Sequence, residues 1–312
     1  MPPTDHGAAS GSQGHSEECF GASRDYWWNR DYLELTARRL KWAERRRVLE
    51  VGCGLGHWAR AFTPFLASGT SLTCVDRDPK WAEASEGWVR ALSSPSVPVT
   101  FARADAYALP FPDSAFDWVT CQTLLLHLAD PRRALTEMIR VLEPGGLLLC
   151  VEPDNFAVVA ASETSLLRTR SLEEEASRYR FVDAQFRGRS ARGLGNFAIG
   201  GRLAGLFAAL GLREISVRLS DRAAPLYPPY SGPEQASLLA DIKHWQESGV
   251  YFDREEVRKN FVAGGGNPDE FESLWNADLA HRQRFMEAVA HGSYDESGGA
   301  LSYLVAGLKG DP

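Results

Sequence analysis

From Arg47 to Glu152 the chain alternates two hydrophobic patterns. Short apolar runs (Val48, Leu49 and Val51; Leu72 to Val75; Phe116 to Cys121) have the character of strands buried on both faces. Between them, segments at about 56–66, 79–92 and 131–142 repeat their apolar positions every three or four residues and predict helices. Strands alternating with helices predict a doubly wound α/β unit with right-handed crossovers, whose ligand lies at the carboxyl ends of the strands. A third strand is expected just before Arg103 and a fifth after Gly146. Much later come a helix over 201–211 ending at Gly211, a sixth strand at Ile215–Leu219 and a seventh at Leu301–Leu308. The sheet needs neither 153–200 nor 221–299, so both read as helical caps over the substrate side. The organisation expected is a tail at 1–22, a helical lid at 23–46, the core at 47–152, a cap at 153–200, a core helix and strand at 201–220, a second cap at 221–299 and the last strand at 300–312. The tail is rich in Gly, Ser, Pro and His and is too poor in apolar residues to order itself.

The first strand runs into Glu50-Val51-Gly52-Cys53-Gly54-Leu55-Gly56-His57. Glycine keeps no Cβ between the main chain and a ligand, and the following helix offers N–H groups, so this turn suits a nucleotide-like molecule. Its spacing is Gly-x-Gly-x-Gly after an acid, whereas a dinucleotide fold shows Gly-x-Gly-x-x-Gly. Asp76 ends the second strand about twenty residues on, where an acid accepts hydrogen bonds from ribose hydroxyls. Arg103-Ala104-Asp105-Ala106 follows the third strand, Phe116 to Cys121 forms the fourth, and Val141-Leu142-Glu143-Pro144-Gly145-Gly146-Leu147 turns into the fifth. This ordered set resembles the class I, Rossmann-like S-adenosylmethionine-dependent methyltransferases, over roughly a third of the chain.

That resemblance implies a seven-stranded, mostly parallel sheet, its last two strands an antiparallel pair, and S-adenosyl-L-methionine as cofactor with S-adenosyl-L-homocysteine as product. Carried over by position, Glu50, Gly52, Gly54 and Gly56 would hold the methionine portion and Asp76 the ribose. Asp105 and Ala106 would contact adenine, Arg77 would flank its ring and Gln122 would face the cofactor. Tyr26, in the run Tyr26-Trp27-Trp28, would cover the cofactor as N-terminal aromatics do in relatives, with Trp27 on the acceptor side; packing of these rings on the core fits equally well. His127 lies after the fourth strand, where many relatives place a histidine near the methyl group, and an imidazole suits a general base. A structural histidine fits the same position. Glu152, Asp154 and Asn155 follow the fifth strand and are expected in the cleft, Glu152 orienting acceptor or base.

Composition narrows the partners. Acidic residues exceed basic ones by 41 to 34, which argues against many phosphate contacts with nucleic acid. The excess equals that of the second cap alone, with fourteen acidic and seven basic residues. Tyr227, Trp245 and Tyr251 in that cap suggest a pocket for an aromatic or cationic acceptor, with simple packing as the alternative. The first cap's arginines, including Arg168, Arg170 and Arg178, fit an anion site or a solvated helix with ion pairs such as Glu174 to Arg178. Gly264-Gly265-Gly266 reads as a hinge or helix stop. Cys19, Cys53, Cys74, Cys121 and Cys150 form no Cys-x-x-Cys pair and read as reduced thiols of a cytoplasmic protein. No apolar run reaches the length of a bilayer span, no signal peptide is legible and no metal is required. The expectation is a monomeric or homodimeric enzyme methylating O, N or S of a small molecule in natural-product metabolism. Protein or peptide methylation and a non-catalytic cofactor-binding module are the alternatives.

Overall fold

The computed structural model describes residues 21–161, 166, 170–248, 253–299 and 301–310. Its strands are β1 (Arg47–Val51), β2 (Ser71–Asp76), β3 (Val99–Arg103), β4 (Phe116–Gln122), β5 (Leu142–Pro153), β6 (Arg213–Leu219) and β7 (Ser302–Leu308). They form one sheet in the order β3-β2-β1-β4-β5-β7-β6. The first five strands run parallel, and β7 is antiparallel to both β5 and β6. Strand order reverses between β1 and β4, and there the loops leaving the two strands diverge to open a crevice. The chain thus has the Rossmann-like, mostly parallel sheet expected of it.

Ten helices are described: α1 (Arg30–Leu40), α2 (His57–Phe62), α3 (Pro79–Leu92), α4 (Pro131–Val141), α5 (Asn155–Ala161), α6 (Leu172–Ala191), α7 (Leu203–Ala209), α8 (Pro233–Ser248), α9 (Arg254–Ala263) and α10 (Phe271–Ala290). Neighbouring strand residues point to opposite faces, and both faces are apolar. Leu49, Val119, Leu148 and Cys150 pack with Leu135 and Met138 of α4 and Phe207 of α7. Val48, Trp118, Leu147 and Leu149 pack with Trp58 and Phe62 of α2 and Leu33 of α1.

Two expectations about local structure are corrected. Residues 23–46 are not one helix: a short 3₁₀ turn at Ala22–Tyr26 precedes α1, and another at Trp42–Glu44 follows it. Asn29 is extended (ψ 133°), and Lys41 takes a left-handed φ of 55°. These breaks let Trp42 turn inward, where it is fully buried and stacked on Trp118 at 5.0 Å. Burial of that ring outweighs the modest preference for continuing the helix. The supposed turn into the fifth strand is in fact part of β5: Phe116 pairs with Leu142 and Trp118 already with Leu147, so Glu143 to Gly146 loop out as an irregularity in the ladder.

The two cap segments interlock. Phe181 and Ala184 of α6 share a core with Val257 and Phe261 of α9 and Phe271 and Trp275 of α10. α6 and α9 approach so closely that a Cβ on Gly188 would lie 1.6 Å from the Asn260 carbonyl oxygen, and one on Gly264 would lie 1.8 Å from the Ala184 carbonyl oxygen. Gly264 caps the end of α9, so the three-glycine run serves both as a helix stop and as a close helix contact. Arg192 clamps the same junction through Asn260 and Glu256. The N-terminal segment is tied down as well: the Gly21 N–H donates to Asp241 of α8, and the Tyr32 hydroxyl donates to the Leu219 carbonyl at the end of β6. Among the described residues no helix is long and apolar enough to cross a membrane.

Candidate active site

A cleft opens at the carboxyl ends of β1, β2 and β4, lined among others by Glu50, Asp76, Asp105, Gln122, His127 and Arg24. Gly52, Arg77 and Ala106 also line it. Glu50 is 1% exposed, the last side chain but one of β1, and it accepts a weak hydrogen bond from the Cys74 thiol (3.7 Å). Gly52 has φ 74°, and a Cβ there would lie 2.7 Å from Leu124 across the cleft. At Gly56 (φ 72°) a Cβ would press into the Trp88 ring at 2.6 Å. These two positions require glycine both for their backbone conformation and for lack of space.

The loop's donors are committed differently from the sequence expectation. The N–H groups of Gly52 and Cys53 both donate to the Val75 carbonyl, that of Gly56 donates to Cys53, and that of Gly54 donates to Asp76 Oδ2 at 2.9 Å. Asp76 Oδ1 accepts from the Asp78 N–H at 3.0 Å. Asp76 thus braces the glycine loop against β2. A carboxylate has about four acceptor sites, so it retains capacity toward a diol. Asp105 also accepts locally, from the Tyr107 N–H at 2.9 Å.

The segment after β4 forms the opposite wall. Thr123 has φ 50°, a left-handed conformation that is an outlier for a β-branched residue. After it, the N–H groups of Leu124, Leu125 and Leu126 converge on the Glu152 carboxylate at 2.9, 2.8 and 3.3 Å, and the Cys121 thiol adds a long contact at 3.8 Å. Glu152 is fully buried and does not line the cleft, which corrects its expected place beside the acceptor: its oxygens are taken by the backbone beneath the wall. Burial raises its pKa to about 7, against the lowering pull of those N–H groups and the thiol. The turn they fix, Leu125–His127, presents His127 to the cleft, with its ring edge-on to Phe197 at 6.1 Å. Gly195 of the first cap packs on the same turn, where a Cβ would lie 2.0 Å from the Leu126 carbonyl oxygen.

Several other expected site residues stand elsewhere. Tyr26 and Trp27 do not line the cleft; Arg24, one turn earlier, does, and the Trp27 ring sits beside Arg24 and Arg222 at 5.0 and 5.7 Å. A 3₁₀ turn in place of a helix rotates the aromatic run away. Asp154 caps α5 by accepting from the Ala157 N–H, and the Asn155 N–H donates to the Phe197 carbonyl. Tyr227 is 54% exposed, Trp245 is half-buried away from the cleft, and Tyr251 lies outside the described residues. Arg168 and Cys19 also lie outside them, while Cys53, Cys74, Cys121 and Cys150 are buried free thiols. Arg170 and Arg178 pair with Glu175 in place of forming an anion site. Glu174 closes a capping box with Ser171.

Sequence reasoning missed Arg24, Trp58, Thr123, Leu124 and Leu128 in the cleft wall. Leu124 and Leu128 were within reach because they flank His127 in one segment. Nothing in the local pattern marks Arg24 or the backbone of Thr123.

The cleft suits a small molecule that carries both cationic and anionic groups. Three acidic side chains (Glu50, Asp76, Asp105) and the buried Arg24 guanidinium line it together with Gly52, where an added Cβ would meet Leu124 of the opposite wall. A family profile described as "Methyltransferase domain" matches residues 49–150. The chain is 35% identical over 116 residues to the uncharacterized methyltransferase YcgJ of Bacillus subtilis, a stretch covering 36% of this chain and 44% of the relative. It is 31% identical over 125 residues to a demethylmenaquinone methyltransferase of Geobacillus kaustophilus, covering 40% of this chain and 51% of that protein. The chain thus spans about half the length of the curated relatives it matches. The crystal structure of a putative methyltransferase from Bacillus halodurans aligns with a TM-score of 0.51 at 17% identity, over 90% of this chain and 100% of the other, and so shares the fold.

Proposed function

We propose that this chain, whose residues 49–150 match a methyltransferase domain, is a class I methyltransferase that transfers a methyl group from S-adenosylmethionine to a heteroatom of a small-molecule acceptor. The observation that carries the reading is the cleft itself, which Glu50, Gly52, Asp76, Asp105, Gln122 and His127 line together. S-adenosylmethionine held there would supply an electrophilic methyl group on its sulfonium. Glu50 and Arg24 are suited to its charged amino-acid end, Asp76 to the ribose hydroxyls, and Asp105, Ala106 and Arg77 to the adenine. Gln122, which lines the same cleft, would face the cofactor.

The protein's own contribution is alignment, exclusion of water and proton removal. His127 accepts the proton of a hydroxyl acceptor, and Glu152 acts as a positioning residue by holding the turn that carries it. The interlocked caps favour an enclosed small acceptor over a protein surface. Their size also fits a role in natural-product metabolism. Calorimetry with S-adenosylhomocysteine and with NAD tests the reading: micromolar binding of the first and none of the second is expected, and the reverse result would overturn it.

A further inference from the structure

α6 has two apolar faces, and only one of them enters a buried cluster among the described residues. Phe181 and Ala184 enter the buried cluster shared with α9 and α10. Tyr179 and Phe186 point elsewhere, seven residues apart and so on one side of the helix. There they join a row of edge-to-face rings: His127 to Phe197 at 6.1 Å, Phe197 to Phe186 at 5.6 Å, Phe186 to Phe156 at 6.3 Å and Phe156 to Tyr179 at 6.2 Å. Tyr179, Phe186 and Phe156 are each only half-buried, and none belongs to a described hydrophobic cluster. Phe197 is fixed from behind by the buried Arg189 guanidinium, 3.7 Å from its ring centroid. The row therefore begins at the cleft wall and leads away from the cofactor's place along the first cap, with ring surface still open to a ligand.

We propose that this row is the acceptor site, and that the acceptor is a planar hydroxylated ring compound of the phenol or hydroquinone type. The proposal rests on the methyltransferase reading above. Rings set edge to face at such distances favour a flat aromatic partner over an aliphatic one. The row ends at the cleft in the His127 imidazole, which suits a hydroxyl at the leading edge of the ring. As that hydroxyl oxygen bonds to the methyl carbon, its proton passes to His127, and the carbon–sulfur pair stays on sulfur. Among the described residues of the second cap, Phe261, Phe271, Trp275, Phe285 and Tyr294 are buried in clusters of their own and Tyr227 is exposed, and the cap serves to brace α6.

The test uses the full chain with saturating S-adenosylhomocysteine and 2-naphthol as probe, followed by fluorescence titration and saturation-transfer NMR. The wild type is expected to bind 2-naphthol. Phe186→Leu and Phe156→Leu, which keep apolar volume but remove a ring, should each weaken binding about three- to ten-fold, the range of one aromatic contact. Their affinity for S-adenosylhomocysteine should be unchanged, which also reports that they fold. Equal 2-naphthol affinity in wild type and both variants, no transfer to 2-naphthol at millimolar concentration, or a larger loss in Tyr227→Ala would each overturn the site. Failure of the wild type to bind S-adenosylhomocysteine would overturn the methyltransferase reading beneath it.

Discussion

The two walls of the cleft are built on different principles. On the glycine-loop side, Glu50, Gly52 and Asp76 sit at or just beyond the ends of adjacent parallel strands, and β1 and β2 pair in register from Arg47–Ser71 to Val51–Val75. A few residues of local sequence suffice to place each of them. On the His127 side, a turn after β4 is held from below by Glu152 of β5 and from the side by Gly195 of the first cap. That cap is in turn held by α9, some seventy residues further along the chain. The first wall is a property of the sheet edge. The second is an assembly of distant segments, and so it is the wall that can diverge between proteins while the first stays fixed.

Substitutions can break or sharpen this contrast. His127→Ala should lower kcat by roughly 10²- to 10⁴-fold on a phenol acceptor, with S-adenosylhomocysteine affinity unchanged, since a general base acts in the transition state. Full activity of that variant would remove the chemistry from the second wall. Gly188→Ala forces a methyl group into the Asn260 carbonyl, and the α6–α9 contact must open. A stability loss of about 3 kcal/mol is expected in urea titration, and acceptor binding should suffer before cofactor binding.

Glu152 makes the second wall sensitive to pH. Its folded pKa of about 7 lies above that of an unfolded glutamate, so between roughly pH 4.3 and 7 the folded chain keeps a proton that the unfolded chain has lost. Stability should therefore be highest below this window, fall as pH rises through it by on the order of 3 kcal/mol, and level off above it. Glu152→Gln should flatten that slope in thermal unfolding followed from pH 4.5 to 8. An unchanged slope would mean that other groups set the pH dependence. The smallest of these effects belongs to the first wall: Asp76→Ala should weaken S-adenosylhomocysteine binding by about 1–3 kcal/mol in calorimetry. Part of that loss comes from the loop, because the Gly54 N–H loses its acceptor.

The sequence by itself determined the sheet and the first wall. Strand and helix periods are local, and Glu50, Gly52, Asp76, Asp105 and Gln122 occupy strand ends or the turns just after them, so reading the elements also places these residues in the cleft lining, which Gly54 and Gly56 do not join. His127 was legible for the same reason, as it lies five residues beyond Gln122. Tertiary structure alone decided the rest. It turned Trp42 inward at the cost of helix continuity, sent Arg24 in place of Tyr26 to the cleft, and drew Glu152 beneath the wall because three consecutive N–H groups after Thr123 needed a buried acceptor. It also chose Phe156, Phe186 and Phe197 over Tyr227 as the rings that lead to His127. Composition counts aromatic residues, but which of them face one another depends on how α6 crosses α9, and that crossing is set by Gly188 and Gly264: the local pattern shows the second as a helix stop, but not that either meets the facing helix.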